Sequence, residues 1–507
     1  MDVFKRYKLI IIFAILASLS LLFFSFYTNQ VWDDFFITFR YSKNLAEGKG
    51  AVYNPNERVY GFTSPLEMFL LSSCYLITGK NSYLPSLWLY RVICIAAFIA
   101  SGILLLLSIS DKNKKTSPAA YFLAAFYILE TKSIAFSVNG METAFTLLFL
   151  SLFIFLACKD LSKNWIAAGV SWAGLLLARP DGCIYIICLS LGYLIFSRLP
   201  KKQTFIALLK AGSICTLLYL PWMLWAWNYY GSPIPNTIQA KSRLIMLRPP
   251  LSIYNCIFGP VYVYFGGWPF WINIFTSCLG LFTGLYWTVP SKDKLGRTLS
   301  FSFFLLYFYY LFLPRYPWYY PAATIISLVV LSKAISIVKD SNKIAAIAVF
   351  TIILSGMIYI FASTAWQLRI QQKEIENGNR KQIGLWLKEN VRPNESVYLE
   401  PLGYIGYFSG SKMIDYPGLI SGKVVRLLHE NKGFNFHTIL PEIKPDWVIL
   451  RPRERDAMSE LDYFKKNYKY IKTFDVTDNL GRYKFIPGAP YLLYDSVFSI
   501  FKKINNP

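Results

Sequence analysis

Residues 31–67 read VWDDFFITFRYSKNLAEGKGAVYNPNERVYGFTSPLE. Two adjacent carboxylates, Asp33 and Asp34, precede Arg40 and a turn region rich in Gly, Pro and Asn. The stretch follows a long apolar run directly, and most of the remaining chain is apolar helix by its pattern. A polar loop at the mouth of many membrane spans is where chemistry would have to occur, so the chain is read outward from it. Phe35, Phe36, Phe39 and Leu45, set beside Asp34, Arg40 and Lys43, predict a short helix over 33–46 that Gly48 and Gly50 stop. A second apolar piece, 65–78, opens at Pro65, which suits the first turn of a helix. It is short for a span and is expected to lie along the membrane surface.

The rest of the composition agrees with that setting. The chain has 507 residues, 55% of them hydrophobic, and only 16% charged, against about a quarter in soluble proteins. Several apolar runs reach the roughly 20 residues that cross a bilayer. The fold class is therefore a polytopic α-helical membrane protein. The net charge of +23 does not point to nucleic acid, because much of the basic excess sits in short turns, where it sets membrane orientation and attracts anionic headgroups. The eight cysteines show no metal or redox spacing and are expected to be free thiols. His429 and His437 are the two histidines, which excludes a histidine-rich metal site. Lys5, Arg6 and Lys8 precede an apolar run to Tyr27 that is long and lacks a small-residue cleavage pattern. It is expected to be an uncleaved first span with a cytoplasmic N-terminus.

About eleven spans follow from the apolar runs: 9–27, 88–109, 118–136, 141–157, 164–178, 184–197, 206–226, 270–289, 298–313, 318–335 and 344–362. With this assignment, the basic turns at Lys112–Lys115, Lys159–Lys163, Arg198–Lys202, Lys292–Arg297 and Lys333–Lys343 fall on the side of the N-terminus. The polar motifs fall on the other side, which argues for one active cavity at the outer face. Residues 365–507 change character. Candidate strands at Ser396–Leu399, Trp447–Leu450 and Tyr468–Phe474, with a helix over Ile383–Val391, predict a small mixed α/β domain outside the membrane. The expected domains are thus 1–364, with its first outer loop at 28–87, and 365–507.

Five segments hold the candidate site residues. Asp33 and Asp34 either mark the end of a span or supply a general base, which must reach the acceptor hydroxyl. Neighbours on a helix point about 100° apart, so one acid can face a cavity while the other caps the helix. Arg179-Pro180-Asp181 follows the fifth span. An arginine beside an apolar zone has a partner or a ligand, and a guanidinium suits phosphate. Asn139 and Glu142 have capping-box spacing, and Glu142 alternatively faces the cavity. The 228–237 loop is stiffened by Pro233 and Pro235, carries Asn236, and leads to Lys241 and Arg243, with Lys241 placed to meet a phosphate. Arg315 and Tyr316 open the tenth span, either as an interface anchor or as a cation and ring for a lipid phosphate and its sugar. No Walker or dinucleotide motif is apparent.

Taken together, WDDFFITFRYSKNLAEGKGAVYNPNERVYGFTSPLE at 32–67, NGMETAF at 139–145, ARPDG at 178–182, YYGSPIPNTIQAK at 229–241, RYPWYY at 315–320 and GYIGYFSGSKMIDYPGLIS at 403–421 resemble integral-membrane glycosyltransferases of the GT-C superfamily. The likeness is to the terminal arabinofuranosyltransferase type of the mycobacterial cell wall. It implies inverting transfer of a sugar, arabinofuranose first among them, from a polyprenyl-phosphate carrier, with an acidic base in the first outer loop. That role falls on Asp34 or Asp33, with Asp34 preferred. Arg179, Lys241 and Arg315 become candidates for the carrier phosphate, with Arg40, Asn236, Tyr316, Glu142 and Asp181 as further substrate-site residues.

The acceptor implied is an envelope glycan, a lipid-linked glycan or a protein hydroxyl, and the 365–507 domain is expected to recognise it. No cofactor or divalent metal is expected, and the chain is expected to be a monomer in the bacterial inner membrane, with its C-terminal domain periplasmic. Competing readings are a lipid-linked saccharide flippase, which would more typically show internal repeats or broken helices, an envelope assembly protein, and a GT-C oligosaccharide or mannosyl transferase.

Overall fold

The structure is a computed structural model that describes residues 2–109, 117–197 and 199–504. The basic turn at 112–115 and Arg198 lie outside the described residues. The chain divides into two compact units. One comprises Met1–Asn29, Trp88–Trp222 and Ile245–Trp366; the other comprises Gln30–Leu87, Met223–Leu244 and Gln367–Pro507. The first outer loop, expected within the membrane domain, therefore packs with the C-terminal region.

The first unit is a helical bundle. Every expected span is helical, but length separates them. Among the described residues, seven helices are long and apolar enough to cross a membrane, or eight if a bent pair counts as one span, so length does not establish a count of eleven. The bent pair is the expected third span. It breaks into Pro118–Tyr127 and Thr131–Val138 at 53°. Glu130 caps the second piece, accepting from the backbone N–H groups of Lys132 and Ser133, and this cap makes a fresh helix start inside an apolar run. Trp165–Ala178, Gly182–Phe196 and Lys294–Tyr310 have 14, 15 and 17 residues. The chain is a multi-pass membrane protein.

In the second unit, Asp33–Ala46 forms the predicted short helix. Pro65–Ile77 follows, with Ser64 accepting from the Glu67 N–H at its start and 13 residues in all, too few to cross. Between them, Gly50 has φ +87°, and a Cβ there would strike the Tyr229 hydroxyl, so glycine is needed for both conformation and space.

Beyond the last apolar helix, Lys343–Ile370, the chain stays helical through a π-helical turn at Gln371–Arg380 and on to Lys381–Asn390. A five-stranded sheet follows: β1 Ser396–Leu399, β2 Lys412–Asp415, β3 Trp447–Leu450, β4 Tyr468–Asp475 and β5 Val497–Lys503, in order β2-β1-β3-β5-β4. β1 is parallel to β2 and β3, whereas β5 is antiparallel to β3 and β4. Tyr398, Val424, Leu428, Val448 and Leu450 belong to its core.

Candidate functional site

The sequence-predicted residues divide between the units. Asp33, Asp34, Arg40, Asn236 and Lys241 belong to the second; Glu142, Arg179, Asp181, Arg315 and Tyr316 belong to the first.

In the second unit the paired acids open the Asp33–Ala46 helix. Both Asp33 carboxylate oxygens are engaged at the start of the Leu402–Ser409 helix, where the Gly403 N–H donates to one and the Tyr404 N–H to the other, each at 2.9 Å. A carboxylate at a helix N-terminus is stabilised by the aligned N–H groups and the dipole. The approach is so close that a Cβ on Gly403 would overlap the Asp33 backbone. Arg380 lies 3.6 Å from Asp33. Asp34 is half-buried one residue further on.

Arg40 is 7% exposed and donates to the carbonyls of Tyr53, Gly406, Gly410 and Ser411, with its guanidinium 4.3 Å from the Tyr53 ring centre. In this conformation it clamps the Asp33–Ala46 helix to the Leu402–Ser409 region. Asn236 similarly ties three segments together: its N–H donates to the Tyr60 carbonyl at 2.7 Å, and its side-chain amide donates to the carbonyls of Gly418 and Leu419. Lys241 is half-buried on the Asn236–Ser242 helix.

Sequence reasoning missed the ion network that backs Asp33. Arg380 pairs with Glu376 at 3.0 Å and with Asp495. Arg451 donates to Asp495 at 2.5 Å and to Glu454 at 2.8 Å, and also reaches Glu400. Burial pushes the Asp495 carboxyl up, but Arg380 and Arg451 outweigh it and hold it below the usual carboxylate range. A sequence signal was present, since QQKEIENGNR at 371–380 is polar yet contiguous with an apolar helix.

In the first unit, Glu142, Arg179 and Asp181 come together. Arg179 donates to Asp181 through two nitrogens at 2.8 and 3.1 Å, and to Glu142 at 2.6 Å. It also sits 5.1 Å from the Tyr319 ring centre. Glu142 precedes the Thr143–Asp160 helix but makes no capping bond, because its carboxylate is drawn to Arg179; the capping-box alternative is not realised. Tyr185 and Tyr310 both donate to the Tyr319 carbonyl, at 3.1 and 3.0 Å, fixing the aromatic turn. Arg315 lies 5.1 Å from the Tyr264 ring centre, and Tyr316 stacks on Trp318 at 4.7 Å. Lys132, which sequence reasoning passed over, is buried and donates to the Gly259 carbonyl. Among the described residues, no three His, Cys, Asp or Glu side chains group to hold a metal ion.

The chain has the GT-C fold. Over 98% of both chains, the structure resembles ArnT from Cupriavidus metallidurans bound to undecaprenyl phosphate, with TM-score 0.56 and 10% identity. It also resembles the Archaeoglobus fulgidus oligosaccharyltransferase tethered with an acceptor peptide, with TM-score 0.56, 14% identity and coverage of 88% of this chain and 69% of that one. At such identities the likeness is one of fold.

In sequence, 263 residues are 27% identical to the terminal beta-(1->2)-arabinofuranosyltransferase of Corynebacterium glutamicum. That match spans 47% of this chain and 37% of the relative. Residues 366–494 match a family described as a domain of unknown function (DUF8728).

Proposed function

We propose that this chain is an inverting glycosyltransferase. It moves a sugar, arabinofuranose first among the candidates, from a polyprenyl-phosphate carrier to a hydroxyl of an envelope glycan, lipid-linked glycan or protein. The reaction is placed at the outer face of the bacterial cytoplasmic membrane, with the N-terminus cytoplasmic, the C-terminal unit periplasmic and the chain acting as a monomer. The observation that supports the reading is the engagement of Asp33, the first acid of the pair. Asp33 is held through both oxygens by Gly403 and Tyr404 N–H groups, and the neighbouring half-buried Asp34 is the acid we assign as base. The arabinofuranosyltransferase likeness supports the donor class.

In this reaction Asp34 takes the proton of the acceptor hydroxyl as its oxygen attacks the anomeric carbon. The bond to the carrier phosphate breaks with inversion, and cationic side chains stabilise the departing phosphate. Lys241, in the same unit as Asp34, is proposed for that task. Arg40, Asn236, Glu142 and Asp181 are assigned to holding the scaffold on the strength of their protein contacts. No divalent metal is proposed to be required, since the donor carries its own activation and cationic side chains take the phosphate charge.

The test offers purified protein in nanodiscs a panel of polyprenyl-phosphate pentoses and hexoses and follows polyprenyl phosphate release. Turnover with one donor class supports transfer. Movement of labelled lipid-sugar across vesicles without release would establish a flippase instead.

A further inference from the structure

We propose that the second unit carries a cleft that binds an anionic segment of the acceptor glycan. The proposal rests on the transferase reading for the word acceptor, but the cleft itself is a separate feature. It has a volume of about 650 Å³, within the size that encloses a multi-ring ligand. Segments that are distant in sequence wall it: the first outer loop at 57–60, the 230–239 region, residues 394–396, the region from β2 to the start of the Gly422–Glu430 helix, and Ile443.

Charge gives the ligand class. Arg58, Lys412, Lys423 and Arg426 line the cleft, against the single carboxylate of Glu57. Glu57 is taken up by Lys412 at 2.6 Å. Lys423 donates to the Glu442 carbonyl at 2.8 Å, a contact that leaves its charge uncompensated. Arg58 stacks over Tyr229 at 4.7 Å, which orients the guanidinium and keeps its charge. The Gly422–Glu430 helix begins here without a side-chain cap, because the Ser421 hydroxyl accepts instead from the Asp415 N–H. Its first N–H groups add to the positive field.

The frame is tied by hydrogen bonds and ring stacking. Buried Asp415 accepts from the N–H groups of Gly418, Leu419 and Ile420, and Asn236 ties that turn to the 232–239 loop. Tyr230 stacks on Tyr60 at 5.0 Å and donates to the Ala51 carbonyl. Gln239 and Asn394 also line the cleft, and side chains of this type offer donors and acceptors to sugar hydroxyls. Cations with amides and ordered loops match a phosphate- or carboxylate-bearing oligosaccharide.

The experiment measures binding to the full chain in zwitterionic nanodiscs. The probes are a fluorescent glycerol-phosphate oligomer, an oligogalacturonate and a neutral arabinan oligosaccharide. The expected result is salt-sensitive binding of an anionic probe, no comparable binding of the neutral one, and a roughly tenfold or greater loss in K423Q/R426Q with an unchanged thermal transition. A preference between the two anionic probes tells phosphate from carboxylate. Equal binding of the neutral probe, or undiminished anionic binding in both K423Q/R426Q and R58Q, would overturn the proposal, as would abolition of probe binding by anionic lipid in the nanodisc, which would make the cleft a headgroup site. Donor turnover measured on the same preparation separates the two ideas. Binding without turnover of any donor sinks the transferase reading and keeps the cleft, whereas turnover without anionic binding sinks only the cleft.

Discussion

Asp33→Asn should unfold the protein more readily, whereas Asp34→Asn should stop turnover. The wild-type Asp33 carboxylate accepts two backbone N–H bonds of 2.9 Å, with Arg380 3.6 Å away. An asparagine offers one carbonyl oxygen and turns an NH2 group toward the other N–H. One hydrogen bond to a charged acceptor is lost, worth about 1.5–3 kcal/mol, and a partly buried donor is left unpaired at about 1–3 kcal/mol. Allowing for relaxation, a loss of about 2–4 kcal/mol is expected. For a cooperative unit of about 150–250 residues, each kcal/mol moves the midpoint by about 2–4 °C, so the transition should fall by roughly 4–16 °C. Intrinsic-fluorescence melting of the purified protein in detergent reads this directly. A transition within about 1 °C of wild type would refute the pinned-carboxylate account. A fall of the same size in Asp34→Asn would show that the two acids share one structural task.

Other outcomes follow from contacts of the same kind. Arg179→Met leaves Glu142 and Asp181 facing each other without their cation, so it should cost about 3–5 kcal/mol in thermal unfolding, and adding Glu142→Gln should recover part of it. Gly403→Ala drives a Cβ into the Asp33 backbone and should cost about 1–3 kcal/mol by the same melting assay, with rigid backbone on both sides leaving little room to relax. Asp495 has a depressed folded-state pKa. Its stabilisation is therefore present above the unfolded carboxylate pKa of about 4 and is lost as pH falls through the lower folded value. Denaturation midpoints taken from pH 6 down to pH 3 should fall less steeply in Asp495→Asn. Treatment with EDTA should leave sugar transfer unchanged; loss of activity restored by one added divalent ion would contradict the metal-free proposal.

How much was legible in the sequence depends on whether the cause was local. The 33–46 helix matches Asp33–Ala46 because apolar spacing and stopping glycines are local signals, and β1 and β3 were read to the residue for the same reason. The short strand β2 and the late strand β5 were missed: Lys412–Asp415 is only four residues, and both depend on distant partners for their pairing. The break between Tyr127 and Thr131 was hidden inside an apolar run, although Glu130 marked the new helix start.

The candidate residues were named from local sequence, but their partners were not. Nothing near Arg40 in sequence announces Gly406 and Ser411, and nothing near Asp33 announces Tyr404; more than 360 positions separate these pairs. Arg179 was flagged as needing a partner or a ligand. Asp181 was visible two residues away, while Glu142, 37 positions upstream, emerged only from the packing.

The central claim is that Asp34 removes the acceptor proton while Asp33 holds the scaffold. Its most direct test is a single-turnover measurement of polyprenyl phosphate release by wild type and Asp34→Asn, with donor binding measured on both. The account predicts wild-type donor affinity in Asp34→Asn together with a loss of release of at least about a hundredfold, the lower end of a general base's contribution. Wild-type release by Asp34→Asn would contradict it.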